Sequence, residues 1–170
     1  MTATGSRAEQ RSHSERHAAR LAAVQAIYQM ELTGADAETV IQEFSEHRFG
    51  HEIEGRAPVN PDVEFFADIV RGVPHHQTAI DRVIAHGLAE GWTLQRIDSI
   101  LRAILRAAAY ELEMRSDVPA RVVIDEYVDI AHAFFGGEEP AFVNALLDRA
   151  AHKKRAAEFG EAPPDDELRF

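Results

Sequence analysis

Three absences narrow what this chain can be. It has no cysteine among its 170 residues, which excludes disulfide frameworks, thiolate metal sites and a cysteine nucleophile. No apolar run approaches the roughly 18 residues that cross a bilayer, and charged residues occupy the start, where a secretory signal needs an apolar stretch. We therefore expect a soluble, cytoplasmic protein that has no contact with a membrane.

Positive charge is also scarce. The 18 lysines and arginines are outnumbered by 29 acidic residues, for a formal net charge of -11. A field of that sign repels polyanions, so a nucleic acid would have to bind at a local group of cations. Two such groups exist: the arginines between Arg7 and Arg20, and a run from His152 to Arg155 that contains both lysines of the chain.

Helical periodicity runs through nearly the whole chain. Apolar residues recur every three or four positions, and no stretch alternates as a half-buried strand would. The pattern predicts about seven helices, from Ser14 to Leu32, Asp36 to His47, Pro61 to Val70, Ile80 to Gly87, Leu94 to Arg115, Pro119 to Phe134 and Glu138 to Ala150. We therefore expect an all-α fold.

Two of these helices carry more detailed expectations. The helix from Leu94 to Arg115 has the strongest apolar stripe, which predicts the central helix of the core. On its outer face Asp98 and Arg102, four positions apart, are expected to form an ion pair. In the first helix, the apolar residues from Leu21 to Leu32 are expected to face inward.

Composition divides the chain into three segments, namely a flexible basic arm at residues 1–13, a helical domain at 14–155 and an acidic, disordered tail at 156–170. Within the helical domain, residues 48–60 contain two glycines and a proline without periodicity, which predicts a long loop. That loop separates an N-terminal subdomain of about residues 14–60 from a C-terminal subdomain of about residues 61–155. A further helix break is expected at Gly72 and Pro74.

No complete catalytic or metal-binding motif is recognisable. Two histidine pairs with a spacing of four positions, His13/His17 and His47/His51, could bind a metal ion, but we expect them to be solvated surface residues. His51 and Glu52 begin like the motif of a zinc protease, but position 55 is glycine where the second histidine ligand should stand. A glycine-rich phosphate loop and a nucleophile elbow are also missing. We therefore expect a protein that is not an enzyme and that needs no cofactor or metal ion.

The arginines near the start suggest a binding role instead. Arg16 and Arg20 lie one helical turn apart, with Arg11 upstream, so their guanidinium groups are expected to project together toward a phosphate backbone. Taken alone, an ordinary solvated helix face explains this pattern better than a binding site does.

Two segments resemble one protein family. Residues 16–32 read RHAARLAAVQAIYQMEL, and residues 101–151 contain ELEMRSDVP and FVNALLD in that order. These segments resemble the opening helix and the signature region of the NusB family of transcription antitermination factors. The likeness extends over about residues 14–152.

The resemblance implies a NusB-like fold, an all-helical arrangement of two packed subdomains. It also implies a function, because members of the family join the small-subunit ribosomal protein NusE, and the pair binds the boxA element of nascent RNA. RNA polymerase in the resulting antitermination complex then reads through terminators, notably in ribosomal RNA operons. The expected partners are therefore boxA-type RNA, NusE and this polymerase complex.

The resemblance also implies which residues contact RNA: Arg11, Arg16, His17, Arg20, Phe142 and Asn144. The arginines and His17 fall at the family's arginine-rich motif, and Phe142 is expected to stack on a base, with core packing as its alternative role. His17 and Ala18 interrupt the motif, and Ala141 stands where a basic residue is common. We therefore expect weak RNA binding by the chain alone, unless Arg7, Arg11 and the run from His152 to Arg155 compensate.

One alternative function stays open. A NusB-like helical module could make only protein contacts, its RNA-facing side having decayed. Another relative, the NusB-like domain that precedes the catalytic domain of some ribosomal RNA cytosine methyltransferases, is disfavoured because 170 residues leave no room for a catalytic half.

Overall fold

The structure is a computed structural model that describes residues 3–49 and 60–162, with side chains from residue 6 onward. These ranges contain seven α-helices: α1 (Ala3–Thr33), α2 (Ala37–His47), α3 (Val63–His75), α4 (Gln77–Gly87), α5 (Ser99–Met114), α6 (Ala120–Phe134) and α7 (Glu139–Lys154). Two short 3₁₀-helices, Leu94–Arg96 and Ala156–Phe159, complete the described secondary structure, which includes no strand. The all-α prediction is confirmed. Most of the predicted loop, with His51 and Glu52, lies outside the described residues.

The helices belong to two compact units, residues 1–71 and residues 72–170. The first unit contains α1, α2 and most of α3, and the second contains the last turn of α3 and all later helices. The division therefore falls inside α3 rather than near residue 60, where loop composition had placed it. The reason is that the first turns of α3 belong to the core of the first unit, where Phe66 stacks on Phe44 of α2 with ring centroids 5.5 Å apart.

α1 begins well before its predicted start. Its first residue is Ala3 rather than Ser14, so the segment expected to form a flexible arm is helical from residue 3 onward. Ala8, Glu9 and Gln10 are strong helix formers, and no proline interrupts this stretch. Segment composition missed the helix because its residues are almost all polar and carry no apolar stripe.

The buried face of α1 is built largely from small residues. Ala19, Ala23, Val24 and Ala26 are all fully buried. Leu32, which the apolar pattern had placed inward, is 62% exposed, so that part of the prediction is wrong. Alanines contribute little to a hydrophobic pattern, yet their small size makes them well suited to close helix packing.

α5 is the centre of the second unit. It packs against α4, α6 and α7. Ile104, Ala108 and Leu112 are among its buried residues, as its apolar stripe predicts. The prediction of a central core helix is therefore confirmed.

The start of α5 differs from the prediction. The carboxylate of Asp98 accepts a hydrogen bond from the backbone N–H of Ile100 at 2.9 Å and so caps the helix. Arg102 is 9% exposed and donates to the carbonyl oxygens of Leu94 at 3.0 Å and Ile97 at 2.8 Å. The expected outward ion pair is therefore wrong, because each side chain satisfies backbone groups at the helix start instead.

The expected break at Gly72 and Pro74 is also wrong. α3 continues through both residues to His75. Gly72 lies against the ring of Tyr110 in α5, where a Cβ atom would overlap the ring. Glycine is present here because of this close approach, not because the helix ends.

Beyond α7, the side chain of Arg155 closes the end of α5. It is 8% exposed, and its guanidinium donates to four backbone carbonyls, those of Glu111 at 3.1 Å, Leu112 at 2.9 Å, Arg115 at 2.8 Å and Val118 at 3.0 Å. The last carbonyls of a helix have no partner within the helix, so a cation that binds them both caps the helix and matches its dipole.

The first residues of the expected disordered tail are part of the fold. Ala156 is buried, and Glu158 accepts a hydrogen bond at 2.9 Å from the backbone N–H of Ala120, at the start of α6. This bond and the neighbouring Arg155 guanidinium lower the pKa of Glu158. The tail prediction therefore fails for residues 156–159, while residues 163–170 lie outside the described residues.

Candidate nucleic-acid interface

The arginines of α1 differ sharply in exposure. Arg11 is exposed, Arg16 keeps 36% of its side chain in solvent, and Arg20 is only 1% exposed. The two arginines that were expected to project together are therefore unequal. Of these three, only Arg11 and Arg16 present cationic surface that a phosphate can reach directly.

Phe65 of α3 explains why Arg16 and Arg20 are held. The Cζ atom of Arg16 lies 4.6 Å from the centroid of the Phe65 ring, and that of Arg20 lies 4.9 Å from it. The ring itself is 2% exposed. A guanidinium over a desolvated ring is stabilised by up to about 2 kcal/mol, so one phenyl group fixes two side chains that are four positions apart.

Asp62 ties the start of α3 to α1 beside these arginines. Its backbone N–H donates to the carbonyl oxygen of Glu15 at 2.9 Å, and its carboxylate accepts from the N–H of Phe65 at 3.0 Å. The other carboxylate oxygen is 3.8 Å from Nε of Arg16. Asp62 therefore caps α3 and partly neutralises Arg16, so it competes with any phosphate that approaches this arginine.

These contacts correct the expectation for Arg20. A residue that is 1% exposed and stacked on Phe65 is part of the core of the first unit, not of its surface. His17, its neighbour in the expected motif, is half-buried. Sequence periodicity does not reveal such burial, because the ring that covers Arg20 comes from a helix more than forty positions later.

Phe142 and Asn144 lie in the second unit, near the start of α7. Phe142 is half-buried and Asn144 is exposed, while Val143 between them is fully buried. A half-buried ring is anchored by the fold and still offers part of its face, as base stacking requires. Both proposed roles for Phe142, core contact and base contact, therefore have a structural basis.

Most side chains of the second group of cations, His152 to Arg155, contact other groups of the protein. His152 lies 2.7 Å from Glu161 and 3.5 Å from Asp148, and its ring stacks on Phe159. The hydrogen bond to Glu161 is the main reason why the pKa of His152 is raised above its ordinary value. Lys154 pairs with Glu113 at 3.0 Å.

Arg155 donates hydrogen bonds to the four backbone carbonyls described above. Lys153 alone in this run makes no hydrogen bond or ion pair within residues 3–49 and 60–162. The run therefore supplies less free cationic charge than its sequence suggests.

Phe65 and Asp62 are the residues that sequence reasoning missed. Phe65 gives only the signal of an ordinary apolar helix position, and nothing in the pattern marks Asp62, the second residue of a helix predicted to begin at Pro61, as its cap. Within the part of the chain that the structure describes, no group of three or more histidine, aspartate or glutamate residues could hold a metal ion. In the same part, no helix combines the length and hydropathy that crossing a membrane requires.

Comparison with known proteins agrees with this fold. A sequence model of the NusB family matches residues 17–152. The transcription antitermination protein NusB of Bradyrhizobium sp. strain BTAi1 is 54% identical over 154 residues, which make up 91% of this chain and 91% of that protein. Its counterpart in Caulobacter vibrioides is 54% identical over 140 residues, or 82% of this chain and 94% of that protein.

Solved structures show the same fold. NusB of T. maritima is similar with a TM-score of 0.69 at 30% sequence identity, over 85% of this chain and 96% of that one. A crystal structure of the antitermination factors NusB and NusE in complex with dsRNA contains the same fold, with a TM-score of 0.65 at 23% identity over 79% of this chain and 94% of that one. Sequence, family model and fold agree, and this chain belongs to the NusB family.

Proposed function

We propose that this protein is a transcription antitermination factor that binds boxA-type RNA together with the ribosomal protein NusE. In the antitermination complex with RNA polymerase, the pair supports read-through of ribosomal RNA operons. The relatives that are 54% identical over most of the chain carry the name of transcription antitermination protein, which supports this proposal. A function on nascent RNA implies that the protein is cytoplasmic.

The main observation behind the proposal is that Arg16 is held in place by a contact and is still partly exposed. Its guanidinium is held on the Phe65 ring at 4.6 Å, and 36% of its side chain stays in solvent. An arginine that is already ordered loses less side-chain entropy when it binds a phosphate. Arg11, exposed on the same helix, adds a second cation, and Arg20 supports the arrangement from inside.

Phe142 and Asn144 add the part of recognition that phosphates do not provide. An aromatic ring stacks on any base, whereas an exposed amide reads base edges with its donor and acceptor groups. In this proposal Arg11, Arg16 and Phe142 provide affinity, and Asn144 provides preference for a sequence. No step of this function requires bond chemistry, so the protein acts as a binding adaptor rather than as an enzyme.

The charge of the chain explains the need for a partner. With a net charge of -11 and only a few free cations, the protein binds RNA weakly by itself. A basic partner would add phosphate contacts, and each phosphate contact with single-stranded RNA contributes about 0.7 to the salt dependence of binding. RNA affinity of the pair should therefore fall more steeply with salt than that of the chain alone.

The test is RNA binding by the chain with and without NusE. Fluorescence anisotropy with boxA RNA and a scrambled RNA should give tighter binding to boxA, and tighter still with NusE. Arg16→Gln should weaken binding about fivefold at about 0.1 M salt, since that is the contribution of one phosphate contact. Arg121→Gln, which removes an exposed arginine of α6, is the matched control and should leave the affinity unchanged.

The second candidate function is a module that makes only protein contacts. The observation in its favour is the burial of Arg20, which removes one cation from an already thin motif. Equal and weak binding of boxA and scrambled RNA, both with and without NusE, would establish this candidate and sink the first one.

A further inference from the structure

A narrow crevice between α4 and α7 stands out by its charge. Its lining consists of seven residues from the two helices: Val83, His86, Gly87, Arg149, Ala150, Lys153 and Lys154. Every ionisable side chain among them is a base, and none is a carboxylate. In a chain with a net charge of -11, a concave surface with only basic side chains is unusual, and a cleft concentrates the field of the charges that line it.

Two of these cations have hydrogen-bond donors without a partner among the described residues. Arg149 is exposed and donates one hydrogen bond from Nη2 to the carbonyl oxygen of Gly87, the last residue of α4. A guanidinium has five N–H donors, so four have no partner among the described residues. Lys153, one turn further along α7, makes no hydrogen bond or ion pair within the same part of the chain.

The carboxylates near the crevice contact other basic side chains. Asp148 and Glu161 lie on a shallower depression that Arg149 and Lys153 also border, and both acids contact His152, at 3.5 Å and 2.7 Å. Glu113 pairs with Lys154 at 3.0 Å. Each of these three carboxylates therefore contacts a basic side chain other than Arg149 and Lys153.

Helix electrostatics explain only part of this arrangement. Cations in the last turn of a helix interact favourably with its dipole, and this accounts for Lys153. Arg149 lies before the last turn of α7, and its single contact, with the end of α4, leaves most of its donors unused. Two cations one helical turn apart can contact the same phosphate group, and a guanidinium with several unpaired donors is well suited to bind it.

We propose that this crevice binds a phosphate group of the RNA strand, with Lys153 and Arg149 as its principal cations. The contact is separate from the arginines of α1, and it is independent of base sequence because it touches only the backbone. This inference rests on the proposed RNA-binding function. It adds a binding site in the second unit to the cations of the first.

The main test is the salt dependence of RNA binding by variants at Lys153. Lys153→Gln should weaken binding of boxA and scrambled RNA equally, by about fivefold at about 0.1 M salt, and should reduce the slope of log affinity against log salt by about 0.7. Lys153→Glu should have a larger effect of the same kind. Arg121→Gln is the matched control, because it removes an exposed arginine of the second unit that does not line the crevice.

A structural change must be separated from a lost contact. Lys153 has no partner in the described part of the chain, so its variants should unfold at the same urea concentration as the wild type. Arg149→Lys keeps the charge and loses the forked donors, and it should give a smaller loss of affinity than Lys153→Glu. If both Lys153 variants bind RNA with wild-type affinity and slope, the proposal is overturned.

Inorganic phosphate separates this proposal from the general RNA function. Heteronuclear NMR of the wild type with inorganic phosphate should shift the amides of Ala150 and Lys153, and Lys153→Gln should abolish those shifts. If the wild type shows no preference for boxA but keeps these shifts, the antitermination proposal fails while the anion site stands. If phosphate shifts these amides and the Lys153 variants still bind RNA normally, the site is not an RNA contact and the inference is overturned.

Discussion

In the first half of α1, Arg11 is exposed and Arg16 lies on an aromatic ring with 36% of its side chain in solvent, whereas at the end of α7 the side chain of Arg155 is 8% exposed and donates to backbone carbonyls. Both regions are groups of basic residues in an acidic chain. In the first group most of the cationic surface stays accessible, and in the second only Lys153 is without a partner in the described residues. The number of arginines and lysines in a segment is therefore a poor measure of the charge that it offers to RNA.

The difference has a physical cause. A helix end exposes unpaired carbonyl groups, and a long cationic side chain nearby is drawn to them. Arg155 lies close to the end of α5 and is used in this way. The arginines of α1 occupy the body of a long helix, where no carbonyl is unpaired, so their charge is left for an aromatic ring, an acid or a ligand.

The sharpest test of this comparison is Arg155→Ala. It should lower the free energy of unfolding by about 3 kcal/mol, because several carbonyls at the end of α5 lose a charged hydrogen-bond donor. Urea denaturation followed by circular dichroism measures the change. Lys153→Ala, two positions earlier, should cost less than about 0.5 kcal/mol. Equal losses for the two variants would mean that Arg155 is no more structural than its neighbour.

Arg20→Gln should come next in size. Arg20 is the exception within the first group, since it is 1% exposed and stacked on Phe65. Loss of this desolvated contact should lower the free energy of unfolding by about 2 kcal/mol. Arg16→Gln should cost less than about 0.5 kcal/mol in the same urea experiment, because its side chain is partly solvated. A larger loss of unfolding free energy for Arg16→Gln than for Arg20→Gln would contradict this distinction between the two arginines.

Asp62→Asn tests the accessible side of the comparison. Asparagine caps a helix as well as aspartate does, so the stability should change little. Removal of the charge 3.8 Å from Arg16 should strengthen RNA binding about fivefold at about 0.1 M salt. Glu64→Gln removes the same charge two positions further on and serves as the control, with an expected change below about twofold. Binding by Asp62→Asn no tighter than by this control would contradict the competition between Asp62 and phosphate.

The smallest effect concerns the pH dependence at the end of α7. Because the pKa of His152 is raised, chiefly by its hydrogen bond to Glu161, the folded state holds the proton more tightly than the unfolded state. The contact therefore contributes its full stabilisation below the ordinary pKa of 6.5 and loses it as the pH rises through the raised value. NMR titration of the His152 ring should show that Glu161→Gln lowers this pKa. An unchanged titration would mean that Glu161 does not hold the ring.

Much of the architecture was predictable from residue order. Helical spacing identified all seven helices, and the strong stripe of α5 correctly marked it as the central helix. Boundaries were harder, since α1 begins at Ala3 within a polar stretch and α3 passes through Pro74. The first error arises because apolar periodicity is informative only where a helix has a buried apolar face, and the second because Gly72, which is needed for close packing against Tyr110, resembles a helix breaker in the sequence.

The roles of individual polar side chains were much less predictable. Arg20, Arg102 and Arg155 all looked like surface cations, yet each is buried or nearly buried. Their burial depends on partners that are distant in sequence or on backbone carbonyls, and a sequence pattern contains neither. Exposure of Arg11 and of Asn144 agreed with expectation, while their contact with RNA stays a prediction.

The last described turn has a practical meaning for where this chain can be shortened. The family match ends at residue 152, but the side chains that close α5 and α6 are those of Arg155 and Glu158. A protein cut at the end of the match would keep every core helix and leave two of them without their terminal partners. The end of the family match and the last side chain that closes these helices therefore lie about two helical turns apart in the chain.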